Sequence, residues 1–211
     1  VGPTDPAMYH VPLGFFCPGT PLATDAGLEP LNGRRDLAKV KRDLAAAGYK
    51  GETVLLMTPS NSQALIAHGA VMEDMFRQVG MNVETYTVEF NAMLQRRNRK
   101  GPVSDGGWSA FVTTWVGADW LHPGGHFALR GAGESGYAGW ATIPRLEELR
   151  NSWFDAADEA AQKAIAREMQ LEAMKEVPFY PLGQHLQPTA WRSDITGVLP
   201  GFATFWNVKR G

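Results

Sequence analysis

The sequence predicts an α/β fold, and three observations carry that expectation. The apolar run ETVLLMT (52–58) is followed by a helical pattern over 62–79 and by the alternating run MNVETYTVE (81–89). Strand, helix and strand in that order form a βαβ unit, which normally has parallel strands and a right-handed crossover. A further apolar run, WSAFVTTWV (108–116), offers a third strand, and two helical patterns close the C-terminal half. With 211 residues and 44% hydrophobic content, the chain is long enough to bury a proper core.

Each element has its own local reason. Residues 1–33 hold Pro3, Pro6, Pro12, Pro18, Pro21 and Pro30 together with several glycines, a density that breaks regular structure and predicts an extended linker or hinge entry. From Asp36 to Ala47, Leu37, Val40 and Leu44 recur at helical spacing, and Gly48 supplies the stop. The helix over 62–79 has Ser60 or Ser62 as its cap. A short polar helix is expected around Phe90 to Arg99, where Arg96, Arg97, Arg99 and Lys100 form a solvated end that complements the helix dipole. Residues 121–142 are rich in glycine and predict a long loop carrying Tyr137 and Trp140. Helices follow over 143–156 and 158–177, the second with Ala161, Ile165, Met169, Leu171 and Met174 near one stripe and with Asp158 and Glu159 at its start. The segments PFYPLG, LQPTAW and ITGVL predict short β-type pieces broken by proline and glycine.

Composition narrows the function. Twenty basic against 22 acidic side chains give a formal charge of -2, far from the basic excess that binding a phosphate backbone requires, so nucleic acid is not an expected partner. No apolar run approaches the roughly 20 residues that cross a bilayer, and the start lacks the regions of a signal peptide. The chain opens on Val1-Gly2-Pro3 in place of a methionine, which points to a mature or excised segment. The single cysteine, Cys17, forms no internal disulfide and is expected to be a buried or idle thiol.

Catalytic signatures are weak. GAGESG (131–136) fits a glycine-rich nucleotide pattern, yet it follows no strand and opens no helix. His122 and His126 are four apart, but Pro123, Gly124 and Gly125 prevent the helix that would bring both imidazoles onto one face, so no metal site is expected. Glu147, Glu148, Asp158 and Glu159 sit in helical patterns whose exposed faces explain them. No cofactor is called for.

Binding has the better case. The stretch TTWVGADWLHP (113–123) ends the third apolar run and holds Asp119 between Trp115 and Trp120, and ligands of open α/β sheets gather outside the C-terminal ends of the strands. Seven tryptophans give aromatic walls, which with a few placed polar groups make up a small-ligand cleft. Two readings of Asp119 stay open from the residues alone: a turn cap, or an acceptor for a ligand's amino group. In the second, a charge-assisted hydrogen bond is worth roughly 1.5 to 3 kcal/mol and a neighbouring ring about 0.5 to 2 more.

The order of these pieces resembles the periplasmic dipeptide- and oligopeptide-binding proteins of ABC importers. DLAKVKRDLAAAGYKG is similar to their helix ending in L-x-x-A-G-Y, and TTWVGADWLHP to their W-x-x-D-Y-x-x-P segment. IPRLEELRNSWFDAADEAAQKAIAREMQ resembles their paired C-terminal helices, EVPFYPLG their x-x-P-x-x-P-L strand, and WRSDITGV their closing x-R-x-x-V-x-G. The resemblance covers only the C-terminal portion of such proteins.

It implies the second lobe of a type II periplasmic-binding-protein-like fold, in which two lobes close on a peptide that is passed to an ABC permease in the inner membrane. On that basis residues 1–33 are the hinge entry, 34–188 the ligand-binding lobe, and 189–211 a segment returning toward the first lobe. Asp119 matches the aspartate that pairs with the ligand's α-amino group, and Trp115 and Trp120 would flank it. Trp115 stands one residue further from the acid than the family spacing, so either a bulge absorbs the extra residue or another ring takes its place. The family's arginine near the ligand carboxylate cannot be assigned among Arg96, Arg97 and Arg99. The resemblance further implies a non-catalytic monomer in the periplasm, or lipid-anchored outside the cell.

Other readings stand beside it: the same fold for a nickel chelate or an oligosaccharide, a small α/β hydrolase or transferase, and a protein-contact module. The missing nucleophile elbow argues against the hydrolase.

Overall fold

The computed structural model describes residues 5–201 and 204–211. Val1 to Thr4 of the expected hinge entry, Pro3 among them, and Phe202 and Ala203 of the closing segment lie outside the described residues.

At its centre is a three-stranded parallel sheet in the order β3-β2-β4. Strand β2 (Thr53–Pro59) pairs with β3 (Asn82–Val88) from Thr53↔Asn82 to Pro59↔Val88, and with β4 (Ala110–Phe111) through Leu56↔Ala110 and Met57↔Phe111. Burial on both faces explains why β2 is a continuous apolar run, with Leu55, Leu56 and Met57 almost wholly inaccessible. Helix α2 (Gln63–Gln78), capped by Ser62, returns the chain from β2 to β3 and seats Leu65 against Leu56, Val83 and Val112. Its Gly69 lies directly on Thr58: a Cβ there would stand 2.4 Å from the Thr58 hydroxyl. Helix α3 (Phe90–Arg97) follows β3 and buries Met93.

The third strand is shorter than the apolar run predicts. Backbone bonds from Ser109 to Leu55 and from Val112 to Met57 bracket β4, after which the chain leaves the sheet. Residues 113–116 are extended in pattern but unpaired, and Trp115 packs on an aromatic neighbour instead of joining a ladder.

Helix α1 (Leu37–Ala46) is capped by Asp36, whose carboxylate accepts from the Lys39 amide, and ends before Gly48 at φ 91°. Its stripe does not enter the core: Leu37 and Val40 are exposed and Leu44 is half-buried.

A second core forms where the helical hairpin α4 (Pro144–Phe154) and α5 (Glu159–Glu176) meets the N-terminal segment. The stripe of α5 that faces inward is Ala166, Met169, Gln170 and Ala173, an i, i+3, i+4, i+7 set. Ala161, Ile165 and Met174 flank it, whereas Leu171 falls off the stripe and is exposed. The helix stops at Val177, ahead of Pro178, which cannot continue the ladder.

The proline-rich entry is irregular, but from Leu13 to Leu28 it belongs to this core, with Phe15 and Phe16 each 1% exposed. Gln170 binds it in place: the side chain accepts from the Phe15 amide (3.2 Å) and donates to the carbonyls of Thr24 and Ala26 (both 2.7 Å). Gly14 is a glycine for this reason, since a Cβ would fall 1.9 Å from the Gln170 amide oxygen. The 121–142 loop is tied to α4 by Arg130, which donates to both carboxylate oxygens of Glu147, while Gly131 donates to the same carboxylate. That guanidinium holds the Glu147 carboxyl below the usual range.

Regular structure is sparse at the ends. Strand β1 (Tyr9–His10) pairs antiparallel with β5 (Gln184–His185), and β6 (Ile195–Thr196) with β7 (Lys209–Arg210). PFYPLG stays irregular and β5 follows it; LQPTAW has no ladder; ITGVL pairs over two residues only. Leu182, Leu186, Trp191, Phe205 and Trp206 are exposed along this stretch. Among the described residues no helix is long and apolar enough to cross a membrane.

Candidate ligand-binding site

The site begins where β4 ends. The chain runs off the sheet through Trp115 and Val116 into a 3₁₀ turn, Gly117–Trp120, closed by the Asp119 amide donating to the Val116 carbonyl (3.0 Å). Val116 is the capping residue and no side chain caps the turn, so Asp119 is not a turn cap. Its carboxylate is exposed and makes neither ion pair nor hydrogen bond among the described residues. A charge kept free at the C-terminal side of a parallel strand is available to a cation from outside the chain.

The two flanking indoles diverge. A 3₁₀ turn advances about 120° per residue, so Asp119 and Trp120 point in different directions. Trp120 stacks on His126 (centroids 5.0 Å, 17° between planes) and tilts against Phe179 (5.1 Å), which makes it part of the packing under the turn. Trp115 is 37% exposed and meets Tyr137 edge-on at 5.4 Å.

His126 explains the firmness of that packing. At 1% exposure it donates from Nε2 to the Phe15 carbonyl (2.6 Å) and accepts at Nδ1 from the Leu129 amide (3.2 Å). Burial drives its pKa down to about 4, against the pull of the Phe15 carbonyl, so the ring is neutral at pH 7. His122 goes elsewhere, stacking on Trp153 at 5.5 Å. The two imidazoles therefore have separate partners.

An aromatic row extends from Trp115. Tyr137 neighbours Phe111 (6.1 Å) and Phe127 (5.9 Å); Phe111 meets Trp108 edge-on (5.0 Å), and Trp108 lies 5.9 Å from Trp140. Three of the cations expected at a solvated helix end lie over aromatic rings, two of them in this row. Arg97 sits 4.9 Å over the Tyr137 ring and donates to its hydroxyl (2.9 Å), Arg96 lies 4.5 Å over Tyr86, and Lys100 lies 5.3 Å over Trp140. Arg96 and Arg97 are half-buried; Arg96 also donates to the Gly107 carbonyl (3.0 Å), while the Nε of each is buried without a hydrogen-bond partner among the described residues. Burial raises the Tyr137 phenol pKa despite Arg97 beside it. The sequence marked Tyr137 as a loop aromatic and Arg97 as one of a basic cluster, and nothing in the spacing signalled that the two meet.

Comparison with known proteins bears on family and fold. The model of the bacterial extracellular solute-binding proteins, family 5 (middle part), matches residues 8–136. A probable peptide ABC transporter periplasmic-binding protein, y4tO, of Sinorhizobium fredii is 30% identical over 176 residues, which is 83% of this chain and 33% of that protein. The chain thus spans about a third of the length of this relative. In structure it is similar to a dipeptide-binding protein from Pseudoalteromonas sp. SM9913 in complex with Met-Leu (TM-score 0.71, 17% identity, 97% of this chain and 40% of that one). It is also similar to a mannohexaose-bound oligopeptide ABC transporter periplasmic oligopeptide-binding protein from Thermotoga maritima (TM-score 0.60, 15% identity, 78% and 34%). At such identities the likeness establishes the fold, the α/β lobe of type II periplasmic binding proteins.

Proposed function

The chain belongs to the bacterial extracellular solute-binding proteins, family 5, and from that premise we propose that it is the second lobe of a receptor that delivers peptides to an ABC permease. The observation that carries this reading is the exposed Asp119 carboxylate, without a partner among the described residues, on the turn that follows the unpaired stretch after β4. In the reading, Asp119 takes the peptide's α-ammonium group and Trp115 lies beside it, where the ring's negative face adds cation-π attraction. Trp120 supports the turn from beneath.

The peptide is enclosed between this lobe and a first lobe supplied by the rest of the polypeptide. Residues 1–33 lead in from that lobe, 34–188 form the ligand-binding lobe, and 189–211 lead back. The exposed Trp191, Leu199, Phe205 and Trp206 support the last assignment, because apolar side chains in such number are ordinarily covered by a partner surface. The receptor works as a periplasmic or lipid-anchored extracellular monomer that binds and releases its solute without chemical change, and it has no role with nucleic acid.

Asp119→Ala in the full-length receptor tests the reading. Loss of peptide binding by about tenfold or more supports an ammonium anchor, as expected for one charge-assisted hydrogen bond. Unchanged binding refutes it. A second reading, an oligosaccharide-type solute, draws on the aromatic row from Trp115 to Trp140 and on the mannohexaose bound to the Thermotoga maritima protein. Sugar binding indifferent to Asp119→Ala would favour it.

A further inference from the structure

The turn that carries Asp119 is not held by its own backbone alone. The Cys17 amide donates to the Trp120 carbonyl (3.0 Å), and Cys17 is itself fixed by Thr20, whose hydroxyl donates to the Cys17 carbonyl (2.7 Å). Gln184 of β5 donates from Nε2 to the Cys17 sulfur (3.0 Å). Gly117, the first residue of the turn, sits on that sulfur: a Cβ would lie 2.9 Å from Cys17 Sγ and 3.8 Å from Gln184 Nε2. The backbone of Gly117 is not in the left-handed region, so the need for glycine here is one of space and not of conformation. Cys17 is 9% exposed and has little room to retreat.

We infer that Gly117, Cys17 and Gln184 form a positioning stack that sets where the Asp119 carboxylate stands. The inference rests on the reading of Asp119 as the ammonium anchor. None of the three touches the ligand; they act through the turn. Gln184 pairs with His10 across the β1–β5 ribbon, so the stack joins the anchor to the two chain segments on either side of the lobe. A methyl group at 117 must push the turn off the sulfur or push the sulfur off Gln184. A charge-assisted hydrogen bond weakens steeply once distance and angle leave their narrow range, so a displaced turn forfeits part of it.

The test uses the full-length receptor and two probes, a random tripeptide library with free amino termini and the same library N-acetylated. The quantity read is the ratio of free to acetylated peptide retained, which a smaller folded fraction does not alter; circular dichroism of each variant first shows that it folds. Gly117→Ala is expected to lower this ratio about tenfold. Adding Cys17→Ala to Gly117→Ala removes the sulfur from under the new methyl and is expected to restore the ratio to within about threefold. Gln184→Leu removes the Gln184–sulfur bond that the double variant also lacks and is expected to lower the ratio by up to about threefold, which keeps the test decisive if Gly117→Ala fails to fold.

An unchanged ratio in Gln184→Leu and a folded Gly117→Ala, or a double variant no better than Gly117→Ala, overturns the stack. Asp119→Asn in the same assay separates the two claims. If it leaves the ratio unchanged, the anchor reading itself falls; if it abolishes the ratio while Gly117→Ala does not, only the stack falls.

Discussion

Gln170→Leu should strongly destabilise this chain. The side chain is fully buried and satisfies three backbone groups of a segment more than 140 residues away: the Phe15 amide at 3.2 Å and the Thr24 and Ala26 carbonyls at 2.7 Å. Leucine fills a similar volume but leaves all three groups without partners. An unsatisfied buried donor or acceptor costs about 1 to 3 kcal/mol. Some relaxation toward water at the Thr24 end is expected, so the net loss is about 4 kcal/mol. At about 2 to 4 °C per kcal/mol for a chain of this size, the unfolding midpoint should fall by about 8 to 16 °C. Thermal unfolding followed by circular dichroism, with urea titration as a cross-check, measures it. Amide exchange at Phe15 should accelerate more than exchange in β2. A midpoint within about 3 °C of the parent chain would refute the claim that Gln170 fastens the entry segment to α5.

Two further predictions follow from the same packing. His126 has its folded-state pKa lowered from 6.5 to about 4, so the unfolded chain takes up a proton that the folded chain refuses between those values. Its contribution is complete above pH 6.5 and is lost as pH falls toward 4, by about 3 kcal/mol in all; His126→Phe should flatten this part of the stability profile, and an unchanged slope would count against the buried neutral ring. The isolated 211-residue lobe should bind peptides only at millimolar concentrations, because much of a buried ligand's contact comes from the other lobe; micromolar calorimetric affinity for the lobe alone would contradict the two-lobed reading.

The βαβ core was legible because its residues are consistent at every level. The apolar run at 52–58, a serine cap at Ser60 or Ser62 and the alternation at 81–89 call for the elements that form at Thr53–Pro59, Gln63–Gln78 and Asn82–Val88. The end of β4 was not. WSAFVTTWV has strand composition throughout, but pairing depends on a neighbour, and in the register Leu56↔Ala110 the residue opposite Thr113 is Pro59, which ends β2 and has no amide hydrogen. In the entry segment the prolines fitted the irregular backbone but hid its burial, which the run Leu13-Gly14-Phe15-Phe16 signalled on its own. Gln170 was illegible for a different reason: a glutamine on a helix gives no hint that its amide meets backbone groups from the far end of the chain.

At the site, Asp119 stood out as an acid following an apolar strand, and its exposed carboxylate is where that position leads. The roles of its neighbours could not be separated by spacing. Trp115 and Trp120 look equivalent in the sequence, yet the geometry of the 3₁₀ turn turns Trp120 onto His126 while Trp115 keeps an exposed edge. The arginines looked like ordinary helix-end charges because the rings that receive them, Tyr86 and Tyr137, come from β3 and from a loop 40 residues on from Arg97.

A crystal structure of the full-length receptor with a bound peptide tests the central claim most directly. The account predicts the Asp119 carboxylate about 2.7 to 2.9 Å from the peptide's terminal ammonium, with the Trp115 ring alongside. A peptide whose amino terminus is held elsewhere, with Asp119 left facing bulk solvent on the outer surface, would contradict it.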